Sequence, residues 1–164
     1  MNDAQELLTC SLHGQSLGLP VRNVQEVVTP LRCTPIPLAH DVVSGLINLR
    51  GHVITQLDMR KALGLPDREE SDPFRVVIIE TDDGEDFGLI VDQVGEVMRP
   101  ETSTLEKTPK SLPPCWQDVG SGVLKLEERL LVVLDIERFI RRTLEMSDSN
   151  QLSSAMTGIQ EAVE

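Results

Sequence analysis

The sequence predicts a mainly β protein made of two copies of one roughly five-stranded unit, each closing as a small barrel, with short helices and a C-terminal helix. Three observations carry this. The chain repeats itself: Leu17 to Pro30 aligns without gaps on Phe87 to Pro100, 70 residues later, with seven of fourteen positions identical. Its apolar residues fall in short branched-aliphatic runs separated by Gly, Pro and Asp turns, the pattern of strands. Ahead of the tail, helical patterns are confined to short stretches after Asp58 and Asp135. A unit of about seventy residues with five strands closes most easily as a Greek-key or meander barrel, because an open sheet that small leaves long unpaired edges.

Taken in order, Glu6 to Leu12 and Gln15 to Leu19 read as paired strands joined at His13-Gly14, with a third run at Val24 to Thr29. Pro30, Pro35 and Pro37 then make an extended connection. Val42 to Leu63 is the centre of the chain. Its runs Leu46 to Leu49 and Val53 to Leu57 flank Arg50-Gly51, where Gly51 supplies the positive φ of a tight hairpin turn and Arg50 comes to the tip. Asp58 is placed to cap a short helix over Met59 to Leu63, with Gly64 as its stop. Pro66 to Pro73 is a charged linker. Phe74 to Glu80 and Asp86 to Val91 are strands turned by Asp82 to Glu85. Glu101 to Gly120, with Pro109, Pro113 and Pro114, reads as a long loop. Val123 to Leu126 and Leu130 to Leu134 form a second hairpin that repeats the central one, since Ser44-Gly45 to Asp58 matches Ser121-Gly122 to Asp135 at an offset of 77. Ile136 to Glu145 is the terminal helix. The organisation is then one domain over 1–146, with repeats at about 5–64 and 73–140, and a tail at 147–164. Leu152, Met156, Ile159 and Val163 give that tail helical spacing, so it is read as either helical or disordered.

Composition excludes several function classes. A net charge of -12, from 15 basic and 27 acidic residues, argues against nucleic acid and anionic membrane surfaces. No run is long and apolar enough to be read as a membrane span, and three scattered cysteines, Cys10, Cys33 and Cys115, suit a reduced, cytoplasmic setting. His13, His40 and His52 lack metal-ligand spacing, and Asp82, Asp83, Glu85 and Asp86 lack a calcium-loop pattern. Phosphate-loop, dinucleotide and nucleophile-elbow motifs do not occur, so catalytic residues, cofactor sites and metal sites are all assigned as none.

The candidates that remain are for binding. Where the repeats are compared, Asn48-Leu49-Arg50-Gly51-His52 becomes Lys125-Leu126-Glu127-Glu128-Arg129, so Arg50 is a candidate for something only the first copy does. It is either a solvated arginine, a local partner for Glu26, or a rigid fork for a carboxylate on another protein. Glu26 and Glu96 hold equivalent places, each as either a solvent-face glutamate or a contact residue. Val24, Val27, Val94 and Val97 fit the core better than a groove, and Gly45 and Gly122 fit a bend or a close backbone approach. With only four aromatic residues, any groove between the barrels would be aliphatic.

Gly18-Leu19-Pro20-Val21 with Val24 and Glu26-Val27, then Pro35-Ile36-Pro37, Val43 to Gly51 and Asp58-Met59-Arg60, resemble the CheW family of bacterial chemotaxis coupling proteins over about Glu6 to Leu144. Leu17 departs from the family, where an aromatic is frequent. The resemblance implies two intertwined five-stranded barrels. It also implies a non-enzymatic adaptor joining the cytoplasmic tips of methyl-accepting chemoreceptors to the regulatory domain of the chemotaxis histidine kinase, in the cytoplasm and recruited to membrane receptor arrays. Carried over by position, Glu26, Gly45, Arg50 and Gly51 would serve coupling, and Val24, Val27, Val94 and Gly95 would line the receptor groove. A CheW-like adaptor of a parallel chemosensory-type pathway is the alternative.

Overall fold

The structure, a computed structural model, describes residues 6–100, 105–127 and 129–146. The tail expected at 147–164 lies outside them. Twelve strands, β1 (Leu7–Leu12), β2 (Gln15–Pro20), β3 (Val24–Val28), β4 (Cys33–Thr34), β5 (Val43–Leu49), β6 (His52–Asp58), β7 (Arg75–Glu80), β8 (Asp86–Val91), β9 (Gln93–Met98), β10 (Leu105–Glu106), β11 (Gly120–Leu126) and β12 (Arg129–Leu134), form two six-stranded sheets among the described residues. The sixth strand of each, β4 or β10, is a two-residue piece too short to carry a sequence signal.

Strand order is β10-β11-β12-β2-β1-β9 in one sheet and β4-β5-β6-β8-β7-β3 in the other, so each follows the same rule with the halves exchanged. Every sheet takes one hairpin from one half of the chain and four strands from the other, and the two parts meet in a parallel pair, β12 with β2 or β6 with β8. Sheet boundaries therefore do not coincide with the repeat boundaries. The exchange happens after β2, where the 3-10 turn Val21–Asn23 carries the chain across, and after β8, where Asp92 alone separates it from β9. At the first crossing the buried Asn23 donates its side-chain N–H to the Glu80 carbonyl at 2.9 Å.

The second sheet must curl. Its end strands β3 and β4 lie five strand spacings apart, about 24 Å if flat, yet residues 29–32 join Val28 to Cys33 through five peptide steps that reach at most about 18 Å. Ile47, Ile54, Val76, Ile78 and Ile90 fill this curl; Leu7, Leu124, Leu131 and Val133 fill the other. A larger cluster, including Leu12, Leu17, Leu57, Leu89, Val132 and the fully buried Phe139, lies between the sheets and welds them into one body.

Helix α1 (Met59–Ala62) starts as predicted: the Asp58 carboxylate accepts from the backbone N–H of Arg60 at 3.0 Å and of Lys61 at 3.3 Å. Asp135 does the same for α3 (Ile136–Met146), accepting from the Arg138 N–H at 3.1 Å. The loop expected over Glu101 to Gly120 is corrected for its described part, which holds β10 and the helix α2 (Pro114–Val119). Pro114 occupies the first turn of α2, where a missing N–H costs nothing, and Trp116 and Val119 are buried beneath it.

Candidate functional site

The central hairpin closes at Arg50-Gly51, both with positive φ (52° and 87°), and the Asn48 side-chain oxygen accepts the Gly51 N–H at 2.8 Å. This is the primed two-residue turn that matches the twist of paired strands. It fixes Arg50 at the tip, and the guanidinium forks onto Glu26 of β3, Nη1 to Oε2 and Nη2 to Oε1, both at 2.6 Å. Of the three readings of Arg50, the local pair is the one made. Arg50 remains 66 % exposed and Glu26 31 %. The pair ties the hairpin tip to the end strand while leaving most of the guanidinium to solvent.

Gly45 and Gly51 are separated by function as well as place. Gly51 has open space around it, whereas Gly45 is buried beneath β4 at a bulge between Val43 and Gly45, with φ 146°. Its contribution is to the shape of β5, as the reading of a close backbone approach expects.

The valines divide. Val24 and Val94 are half-buried and pack on the central core, but Val27 is 39 % exposed and Val97 51 %, a departure from the core reading. Both lie at equivalent positions of β3 and β9, the end strands, three residues from Val24 and Val94, an odd spacing that turns a strand side chain to the opposite face. Gly95 is exposed beside Thr9, at a bulge in the pairing of β1 with β9.

Sequence reasoning missed a second cluster. Asp92 accepts from Arg60 Nε at 3.0 Å and from the His13 backbone N–H at 2.8 Å, and lies 3.9 Å from Nη1 of Arg68, whose Cζ stacks 4.6 Å over the Phe74 ring. Burial pushes the Asp92 carboxyl up, yet the Arg60 and His13 hydrogen bonds and the charges of Arg60 and Arg68 outweigh it and hold it below the ordinary range. No spacing announces this group, because its members come from four separate segments. Among the described residues no three His, Cys, Asp or Glu side chains group to hold a metal ion, and no helix is long and apolar enough to cross a membrane.

The Arg50–Glu26 pair permits a direct prediction. Arg50→Glu or Glu26→Lys is expected to change unfolding free energy by less than about 1 kcal/mol, since exposed pairs contribute little. Circular dichroism melts check this, and loss of β signal at 25 °C (about room temperature) in either variant would show that the pair holds the fold.

Fold and surface define a class: a double β-sheet module whose distinctive charged side chains sit outward on a turn and an end strand. The chain matches the family model described as the CheW-like domain over residues 6–144. It belongs to the CheW-like family. It is 30% identical over 135 residues to the chemotaxis protein CheW of Thermotoga maritima, covering 82% of this chain and 87% of that one. The Bacillus subtilis chemotaxis protein CheW is 30% identical over 131 residues, covering 80% and 83%. Among solved structures, the scaffolding protein TtCheW from Thermoanaerobacter tengcongensis superposes with a TM-score of 0.72 at 29% identity, covering 82% of this chain and 90% of that one.

Proposed function

We propose that the chain is a non-enzymatic chemotaxis adaptor that couples the cytoplasmic tips of methyl-accepting chemoreceptors to the regulatory domain of the chemotaxis histidine kinase. The observation that carries this is the chain-long likeness to relatives named chemotaxis protein CheW, over four-fifths or more of either chain. The surface supports it. Val27 and Val97, with the half-buried Val24 and Val94 and the side-chain-free Gly95, offer aliphatic area on the end strands β3 and β9 for an amphipathic helical hairpin. Arg50, with Gly51 setting its turn, keeps free donors toward a partner carboxylate while Glu26 orients it. Neither patch is large, so each contact is weak by itself, and repetition in an array at the cytoplasmic face of the membrane supplies the strength.

The test is kinase activity in membranes carrying cognate receptor and histidine kinase, with the wild-type chain, without it, and with Arg50→Glu. Receptor-dependent activation that requires the wild-type chain is expected, reduced about tenfold in the variant, the effect of removing one charge-assisted contact and introducing repulsion. A folded wild-type chain that leaves kinase output unchanged would refute the coupling role.

A further inference from the structure

Leu38 combines two properties that are costly together. It is 88 % exposed, more than any other large apolar side chain among the described residues, and it holds a positive φ of 65°, where an L residue's Cβ crowds the carbonyl oxygen. The other non-glycine residues with positive φ, His13 and Arg50, precede a glycine in two-residue hairpin turns, but Leu38 follows Pro37 in the loop between β4 and β5. There the Ala39 N–H donates to the Ile36 carbonyl at 3.3 Å. Ile36 to Ala39 are thus a turn with proline second and Leu38 third, the place that glycine ordinarily takes.

The turn is pinned on both sides. Before it, Ile36 is buried in the core between the sheets; after it, His40 accepts twice, its Nδ1 from the Val42 N–H at 3.1 Å and its carbonyl from the Val43 N–H at 2.9 Å. The Val42 carbonyl in turn accepts the Asp58 N–H at 2.9 Å, which fixes the loop to the open end of the β5–β6 hairpin. Val43 starts β5 and Leu49 ends it, so at about 3.3 Å per residue this end lies about 20 Å from the Arg50 tip. The Leu38 conformation serves no packing within the chain; it raises a leucine, flanked by the exposed Pro35 and Pro37, clear of the surface.

We propose that Leu38 is the apolar anchor of a second interface, in which it enters a leucine-sized socket on the regulatory domain of the histidine kinase; this rests on the adaptor reading. Shape selects the partner. A helical hairpin presents long ridges, which the aliphatic area of β3 and β9 receives, whereas one raised side chain needs a closed socket of the kind a globular domain offers. Charge agrees with it. From Val27 to Leu57 the sequence has one acidic residue, Asp41, against Arg32 and Arg50, so two positive charges less one negative leave +1 on this span in a chain of net -12. It can therefore meet a neutral or acidic surface without the repulsion that the rest of the chain would meet. A turn already set in its bound shape loses little freedom on docking, so a small contact keeps its hydrophobic gain.

The experiment measures binding of the full chain to the purified full-length cognate kinase, by isothermal titration calorimetry, and to membranes carrying the cognate receptor without kinase, by co-sedimentation. Leu38→Asn removes the anchor while tolerating the positive φ. Its kinase affinity is expected to fall about tenfold, with receptor binding within about twofold of wild type. Its melting temperature should equal that of wild type or exceed it by a few degrees, because the strained leucine is gone. Leu38→Met keeps the apolar volume and should hold kinase affinity within about threefold of wild type. Unchanged kinase affinity in Leu38→Asn, an equal loss toward the receptor, or a lowered melting temperature would each overturn the proposal, the last by giving Leu38 a structural role. A wild-type chain that does not bind the kinase at all overturns the adaptor reading along with it. A chain that binds the kinase but is indifferent to Leu38→Asn leaves that reading standing.

Discussion

Gly45→Ala is expected to destabilise the fold by about 3 kcal/mol, lowering the melting temperature by roughly 10 °C, the largest effect of any one-carbon change in the described chain. Two costs combine. At φ 146° an L side chain is strained whatever surrounds it, and a β carbon here would overlap the Thr34 carbonyl oxygen outright and lie 2.8 Å from Cys33 Sγ. Thr34 is backbone in β4, paired to Leu46, so relief requires the end strand to leave the sheet. The repeat supplies the control. Gly122 has no positive φ, and its added β carbon would meet the Glu106 carbonyl oxygen at 2.7 Å and Leu105 Cδ1 at 2.9 Å, on a two-residue strand whose side chains are exposed. Gly122→Ala should therefore cost about 1–2 kcal/mol. Chemical denaturation of both variants decides the matter: equal losses would mean that backbone conformation contributes nothing special at Gly45. It also follows that weak partner binding by a Gly45 variant has to be corrected for its unfolded fraction before any contact is assigned to that residue.

How far the sequence was legible depends on the range of the interaction. The hairpin at Arg50-Gly51 and the Asp58 cap are local, and local chemistry is written in consecutive residues; the cap at Asp135 was implied by the repeat but not read from it. The pairing of strands within each hairpin was legible for the same reason. The exchange of strands between sheets was not readable from the repeat, because two identical halves satisfy the same hairpins whether each closes on itself or on the other. It entered only through the resemblance. What decides it is the short path from Val91 to Gln93 and the buried Asn23, neither of which advertises its partner. Helix α2 was hidden by its own prolines: Pro113 and Pro114 read as loop residues until Trp116 and Val119 are seen to need burial. At the candidate site, Arg50 and Glu26 were identified by the asymmetry between repeats. Their bond to each other was one of three open readings, since no sequence spacing of 24 residues across three strands predicts a contact. Val27 and Val97 were misjudged because they were grouped with Val24 and Val94, although a spacing of three sets side chains on opposite faces of a strand.

Asp92 carries the second large effect. It is the single residue at which the chain leaves β8 and enters β9, so the path between the sheets passes through it. Its backbone N–H donates to the Ser11 carbonyl at 3.0 Å, and its carboxylate gathers Arg60 from α1, the His13 N–H from the β1–β2 turn and Arg68 from the linker. The three side chains are only 11–16% exposed, at Arg68 11%, Arg60 12% and Asp92 16%. Asp92→Asn keeps the shape but leaves two guanidinium groups facing each other with little water, and a loss of about 3 kcal/mol is expected. Asp67→Asn, which breaks the exposed pair with Lys61 at 3.1 Å, should cost less than about 0.5 kcal/mol. The pH dependence distinguishes charge from shape. Because the folded carboxyl is held below its ordinary value of 3.8, the contribution of Asp92 is fully present above that value and is lost as pH falls through the lower, folded one. The gap in stability between wild type and Asp92→Asn should therefore be constant from neutral pH down to about 5 and narrow only in stronger acid. A gap that stayed unchanged in acid would assign the residue's role to backbone path and side-chain shape, with the two arginines satisfied some other way.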